Sequence, residues 1–546
     1  MGKNFLNALS LEFKNYNLQK LSKDLMAGVT VAAVALPLAL AFGVSAGATA
    51  AAGLITAIIA GIVMSMFTGG YYQISGPTGA MAAILGSLVA TYSMQGVFIA
   101  GLMSGIILVI AGVLHLGELT SFVPSPVIIG FTSGIAVVIA LGQIDNFFGT
   151  HSEGASAIAK LLSYKDLGFK PDLTTVLVAM LVVVLMIIFP KKWNSIVPAS
   201  LIGIIITTAL TIGLKLDIAT VGEIPQSLFL EDRLSFSKLN LADMSALIAP
   251  AFSIAILNML ESLLCGASAG RATGVKLNND QELFAQGVGN IILPFFGGIP
   301  ATAALARTSV AVKSGAVTRL TGIFHAVGLL IMMFILAPVI KYVPLAGLAG
   351  VLMVTAWRMN EWEAIKYIFS HKFKGAISKF IVTMIFTILF DLTVAIIVGV
   401  GLSLILMLVR LSKLQINYER VDMDRLGCDD ENLKKRYNNA MVAYITGPLL
   451  FANISVLEEL PQKIANCDTV MLSMRGVSSI DVSAVQTLLS ILTELKNKGI
   501  DITICGLPSA SMNMLYRSGI TDLLGEKAFY WSVERALLDN RPYAKC

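Results

Sequence analysis

The chain has 546 residues, of which 56% are hydrophobic and only 13% charged, and its mean hydropathy is +0.79. Soluble chains carry about a quarter charged residues, and a soluble globule has no means of hiding so many apolar side chains, so a soluble fold is excluded, and a disordered chain with it. The net charge of +5 is small and the cations sit in connections between apolar runs, which gives nucleic-acid binding no support. The composition is that of a polytopic α-helical membrane protein.

The first 24 residues are polar and amphipathic, with Lys3, Lys14, Lys20 and Lys23, and read as a cytosolic N-terminal segment rather than a cleavable signal peptide. From Met26 to Gly117 there is no Asp, Glu, Lys or Arg. At about 20 residues per crossing, that stretch has room for about four helices. Apolar runs fall near 25–45, 50–67, 77–92, 95–116, 124–144, 173–190 and 196–213. A polar loop around 214–243 follows, then runs near 244–264, 281–296, 301–312, 320–339, 344–356, 378–391 and 393–409. The expectation is a membrane domain over 25–410 with 14 segments as 7+7 inverted repeats, since an odd number of crossings inverts the second half.

With the N-terminus in the cytoplasm, Lys191-Lys192, Arg271 with Lys276, Lys313 with Arg319, the stretch Arg358 to Lys379, and Arg410 all fall inside. The acid-bearing loops near 145–172 and 214–243 fall outside. Residues 411–440 are dense in charge and read as a linker. From 441 to 546 strands near 442–445, 468–474 and 501–506 alternate with helices near 482–497 and 531–539, the pattern of a small α/β domain. Of the five cysteines, Cys428, Cys467, Cys505 and Cys546 lie in the polar tail and Cys265 in the membrane part. Without paired spacing they read as reduced and cytosolic, with no zinc site and no disulfide framework.

The chemistry concentrates in two short, interrupted runs at matching places in the halves. Phe67-Thr68-Gly69-Gly70 leads to Ser75-Gly76-Pro77-Thr78-Gly79, and Phe295-Phe296-Gly297-Gly298 leads to Ile299-Pro300-Ala301-Thr302. Each reads as Gly-rich extended chain, then Pro at the first helical position. Paired broken helices mark the binding site of a transporter. Two helix N-termini meeting there offer unpaired N–H groups and about one unit of positive charge to an anion. Thr78 and Thr302 add hydroxyl donors, while Gly76, Gly79 and Ala301 let an oxyanion approach backbone. Glu261, deep in the eighth run, is a candidate proton-coupling group, because a carboxylate at helix centre costs about 2.5–3.5 kcal/mol on insertion scales. The bland alternative makes it a structural carboxylate that pairs Arg307 or a backbone N–H. Arg307 either adds positive field to the anion cavity or snorkels to the membrane edge. Asp391 reads as a helix-end residue; His115 and His325 read as packing. No nucleophile–base constellation, metal cluster, phosphate loop or cofactor motif appears, so an enzyme has no support.

Asp24-Leu25-Met26-Ala27-Gly28-Val29-Thr30-Val31 with Ala35-Leu36-Pro37 resembles the first-helix motif of the sulfate permease family of anion transporters. Gln73-Ile74-Ser75-Gly76-Pro77-Thr78, Glu261-Ser262-Leu263-Leu264 and Gly297-Gly298-Ile299-Pro300-Ala301-Thr302 are similar to its third, eighth and tenth helices. The tail resembles a STAS domain, with Ser479-Ile480-Asp481-Val482-Ser483 matching the loop before a helix. Ser483 stands where anti-sigma antagonists resembling this domain are phosphorylated; its alternative role is a helix cap. The resemblance implies a core domain (runs one to four and eight to eleven) that carries the anion past a gate domain. It implies an anion site at Thr78, Ala301 and Thr302 lined by Glu261, no cofactor, a location in the cytoplasmic membrane, and a homodimer. Expected substrates are sulfate first, then bicarbonate or a dicarboxylate. Family members that couple to sodium carry Thr where this chain has Cys265, so a proton is favoured as the coupling ion over sodium. Sodium-coupled bicarbonate uptake or anion exchange, a neutral nucleobase carrier, and a passive anion channel or regulatory membrane scaffold stand as alternatives.

Overall fold

The computed structural model describes residues 2–118, 123–154, 157–190, 197–235, 241–390, 392–422, 431–464 and 466–538. Lys191, Lys192, Asp391, Cys428 and Cys546 lie outside the described residues. The chain divides into two units, residues 1–402 and 403–546.

After a short helix α1 (Gly2–Phe13), the first unit is built from α2 (Leu18–Ser45), α3 (Ala50–Phe67), α4 (Gly79–Val113), α5 (Ser125–Gly142), α6 (Leu173–Ile188) and α7 (Ala199–Gly213). The second half supplies α8 (Ile248–Thr273), α9 (Asn279–Ile292), α10 (Leu305–Lys313), α11 (Leu320–Ile340), α12 (Leu345–Met359), α13 (Lys374–Leu389) and α14 (Leu392–Leu411). Helix α4 spans two of the expected runs and is broken at Ser93, whose φ of 59° leaves the helical region. Among the described residues, α2, α3, α4, α5, α8 and α11 are each long and apolar enough to cross a membrane. Their outward faces, and those of shorter neighbours, leave Ile187, Ile188, Ile335 and Leu408 exposed, as lipid contact requires.

The helices pack in two groups. In one, α2 and α3 lie against α11, and α4 lies against α8 and α9; α10 packs on α2 and α8. In the other, α13 packs on α5, and α12 on α5 and α6. Each group draws on both halves of the sequence. Several runs shift at their starts: α2 begins at Leu18 rather than 25, α8 at Ile248 rather than 244, α9 at Asn279 rather than 281, α10 at Leu305 rather than 301 and α13 at Lys374 rather than 378.

Buried acids tie the start of the chain to the helices. Asp24 is fully buried and accepts from the N–H groups of Val317 and Thr318 and the hydroxyls of Thr318, Thr321 and Tyr16, so it caps the turn that opens α11. Glu12 at the end of α1 accepts from Arg319 N and Nε and pairs with its Nη2 at 2.8 Å. Arg319 also donates to Met66 O at the end of α3. Arg319, expected to be a loop cation, is therefore buried.

The second unit is a five-stranded sheet of β3 (Gln415–Arg420), β4 (Ala440–Thr446), β5 (Thr469–Gly476), β6 (Asp501–Cys505) and β7 (Phe529–Tyr530), in that spatial order; the broken segments of the first unit supply β1 and β2, described below. Strand β3 is antiparallel to β4 and the rest run parallel. The stretch expected as a charged linker thus carries the edge strand β3. Its alternate polar residues pass for linker because an edge strand buries only one face, and that poorly. Helix α15 (Val482–Asn497) covers the sheet with Leu488, Leu492 and Leu495 against Val470, Leu472, Ile502 and Ile504. Cys467 and Cys505 are buried here.

Replacing Arg319 with Met leaves the Glu12 carboxylate buried without a cation. The expected cost is about 3–5 kcal/mol, read as a lower melting temperature of the detergent-solubilised protein. The double variant Glu12→Gln/Arg319→Met should recover most of it.

Candidate functional site

Between α3 and α4 the chain is extended, and β1 (Ser75–Gly76) pairs antiparallel with β2 (Thr302–Ala303), Ser75 facing Ala303 and Gly76 facing Thr302. Ala304 N donates to Ile74 O, which sets the phase of the ladder. Hydrogen-bonded pairs alternate along an antiparallel ladder, so Gly76 and Thr302 form the next such pair. Thr78 is the N-cap of α4 and Ala304 the N-cap of α10, two residues beyond Gly76 and Thr302 respectively. The antiparallel strands make these two N-termini face one another.

This corrects the sequence expectation in two ways. Pro77 and Pro300 both precede their helices, because the extended pairing consumes the residues that were expected to open them. Ala304, rather than Thr302, stands where Thr78 stands in the other half. Thr78 accepts from Met81 N and donates to Glu261 Oε2 at 2.8 Å. Thr302 is fully buried, with its hydroxyl aimed at Asn258 O 3.4 Å away and its backbone in the ladder. Ala301 N donates to Asn290 Oδ1, so this N–H is already satisfied and is not open to an anion. Helix α10 has no side-chain cap, and Leu305 and Ala306 in its first turn are exposed.

Arg307 does not snorkel. It is 1% exposed, its Nη2 donates to Pro77 O at 2.8 Å, and its Nη1 has no partner. It makes no ion pair with Glu261, which removes the simplest structural reading of that carboxylate. Gly76 makes room for the guanidinium: a Cβ there would collide with Arg307 Nη1. A Cβ on Gly79 would stand 2.5 Å from Ile139 Cδ1, so the space beside Gly79 is filled by α5. Glu261, Thr78, Gly76 and Arg307 are thereby brought together. A half-satisfied guanidinium, one capped and one uncapped helix start, and a partly buried carboxylate surround one place. Such a set suits a small anion, with the carboxylate positioned to oppose it when charged.

Sequence reasoning missed the residues that hold this junction. Glu282, Gln286 and Asn290 on α9 are fully buried. Glu282 accepts from Thr68 Oγ1 and Gly69 N, and Gln286 Nε2 donates to Ser75 Oγ. Asn258 and Asn290 both donate to Ala301 O. Thr56 accepts from Ile299 N, and Thr308 from Ile74 N. The missed signal was spacing: polar residues at 282, 286 and 290 fall on one helical face of an apolar run. His325 is buried as expected, whereas His115 is an exposed partner of Asp280, at 2.7 Å. Ser483 is exposed in the first turn of α15, and the cap there is Asp481, which accepts from Ala484 N. The cap role expected as the alternative for Ser483 therefore belongs to Asp481, two residues earlier.

Gly76→Ala should displace Arg307 and lower stability by about 1–3 kcal/mol, the range for overpacking. Gly86→Ala, where a Cβ stands 3.4 Å from its nearest neighbour, should be tolerated. Melting temperatures of the two purified variants check the contrast.

Comparison with known proteins agrees with this architecture. Residues 21–385 match the sulfate permease family and residues 433–536 match the STAS domain. The putative sulfate transporter YvdB of Bacillus subtilis is 36% identical over 538 residues, 95% of this chain and 97% of that protein. The bicarbonate transporter BicA of Synechocystis is 29% identical over 95% of this chain and 94% of its own length. Among solved structures, the transmembrane domain of a cyanobacterium bicarbonate transporter BicA superposes with a TM-score of 0.65 at 30% identity, covering 71% of this chain and 99% of that one. Murine Slc26a9, an anion transporter in the inward-facing state, shares the fold at a TM-score of 0.83 and 18% identity, over 97% and 93% of the two chains. The chain belongs to the sulfate permease family of membrane anion transporters and ends in a STAS domain.

Proposed function

We propose that the chain is a proton-coupled secondary transporter that carries a small oxyanion, sulfate foremost, on the junction of α4 and α10. The observation that carries the reading is Arg307: a buried guanidinium with one nitrogen unpartnered, next to two helix N-termini. Burying an unpaired charge is costly, and an anion seated there satisfies it. The exposed first turn of α10 supports access to that place. The packing of both broken helices within one group of helices supports an elevator-like motion of that group past the other. The N-terminal segment and the STAS domain are assigned to the cytosol of a cytoplasmic-membrane protein that works as a homodimer.

Glu261 is the proposed coupling group. Its carboxylate reaches the α4 N-terminus through the Thr78 hydroxyl and so competes for the positive end that an anion needs. Protonation removes the competition, so proton and anion bind with positive, reciprocal coupling. Importing an anion into a cell that is negative inside is opposed by about 2.3 kcal/mol per charge per 100 mV, and each co-transported proton offsets one charge. A second reading, sodium-coupled bicarbonate uptake, is favoured by the likeness to BicA along nearly the whole chain. Uptake of labelled sulfate and bicarbonate by proteoliposomes under imposed pH or sodium gradients separates the two.

Glu261→Gln mimics the protonated carboxyl. Wild-type uptake should rise as the outside is acidified, whereas the variant should keep anion exchange, lose proton-driven accumulation and show a flat profile between about pH 5 and 8. An unchanged profile would make Glu261 structural. Thr78→Val removes one donor and the cap of α4, and should weaken apparent anion affinity about tenfold, measured as the half-saturating concentration for uptake. Regulation at Ser483 is tested by mass spectrometry of protein from its native host, where a phosphate on that serine is the expected finding.

A further inference from the structure

The broken segments are held from one side by a single helix. On α9, Glu282, Gln286 and Asn290 follow one another at four-residue spacing and share a face that is fully buried. Each touches a different part of the junction. Glu282 takes the Thr68 hydroxyl at 2.6 Å and the Gly69 N–H at 3.0 Å, where α3 ends. Gln286 donates to Ser75 Oγ at 2.8 Å, in β1. Asn290 engages both backbone groups of Ala301, accepting from its N–H at 2.8 Å and donating to its C=O at 2.9 Å. Gln286 also donates to Glu282 Oε1, and Asn290 donates to the Gln286 backbone carbonyl, so two of the side chains are tied to each other and the third to their helix.

Satisfying buried backbone needs only one partner per group. Ala301 receives more: Asn290 holds both its N–H and its C=O, and Asn258 on α8 adds a second donor to the same oxygen. One acceptor on the N–H and two donors on the C=O, from two helices, fix both peptide planes that meet at the Ala301 Cα. Ala304, three residues on, opens α10 without a side-chain cap, and Arg307 lies in that first turn. The position of the Arg307 guanidinium is therefore inherited from Ala301. Thr78 caps α4 locally, so the first half needs no such device.

We infer that Asn290 is a positioning residue for the anion site, and that α9 acts as a template setting the distance between the α4 and α10 N-termini. The inference rests on the reading of that junction as the anion site. Asn290 touches no anion; it acts through the Ala301 peptide and Arg307.

Labelled sulfate and labelled bicarbonate uptake by the full-length chain in proteoliposomes tests it, with the half-saturating concentration (KM) and the maximal rate measured separately. Asn290→Asp keeps the acceptor for Ala301 N–H but turns an oxygen toward the Ala301 and Gln286 carbonyls, so KM should rise about tenfold with the maximal rate per folded protein within about twofold. Ser75→Ala is a milder variant that removes only the Gln286 contact, and KM should rise about threefold. A merely structural role would reduce the amount of folded protein and leave KM alone. If Arg307→Met raises KM while Ser75→Ala and every folded Asn290 variant do not, the template is overturned and the site stands. If Arg307→Met also leaves KM unchanged, or wild type takes up neither anion, the site reading itself falls. If Asn290→Asp yields no folded protein, the Ser75→Ala result decides.

Discussion

Extended backbone inside a membrane has no water to bond, so every N–H and C=O in it has to find a protein partner. The crossing of β1 and β2 is where this chain meets that constraint, and much of the core unit is arranged around it. Strand pairing satisfies the inner edges of the two segments. The outer edges are met by side chains from α3, α8, α9 and α10, among them Thr56, Asn258, Asn290 and Thr308. The expense of so many buried polar groups is what permits two helices to start in the interior, with their positive ends toward each other. The proposed anion site draws on that backbone geometry together with the buried Arg307 guanidinium.

The same positive ends create a competition that gives the site its character. Glu261 is seated, through Thr78, where a substrate anion would gain most. Arg307 is seated behind the other helix start, anchored at Pro77 O and otherwise unsatisfied. One group opposes an anion while it is ionised and the other favours it at all times. Gly76 is small because the guanidinium occupies the volume that a side chain would need. The proposed coupling would then turn on a change in the protonation of one carboxyl.

The remaining units are held by ordinary means. Buried Glu12–Arg319 and the five bonds to Asp24 fasten α1, α2 and α3 to the start of α11, making the N-terminal segment part of the core unit. The C-terminal sheet has its own apolar core under α15 and its own cap at Asp481.

The sequence by itself determined the class, the family and most helix positions. The long uncharged stretch from Met26 to Gly117 and the positions of Pro and Gly are local properties, and hydropathy reads them directly. It also brought Thr78, Glu261 and Arg307 forward, since ionisable residues and Gly-Pro breaks stand out in an apolar run. Which residues contact which was decided only by the tertiary structure. The register of β1 against β2 replaced Thr302 with Ala304 as the counterpart of Thr78, and no sequence period reports a pairing across more than two hundred residues. Glu282, Gln286 and Asn290 lie in a run that reads as apolar, and only the fold gives them their partners at Thr68, Ser75 and Ala301. Arg307 had two fates open to it, the membrane edge or the interior. The physical reason it lies inside is the volume that Gly76 leaves free beside the Pro77 carbonyl and Ala57 of α3, a feature of the fold and not of any one segment.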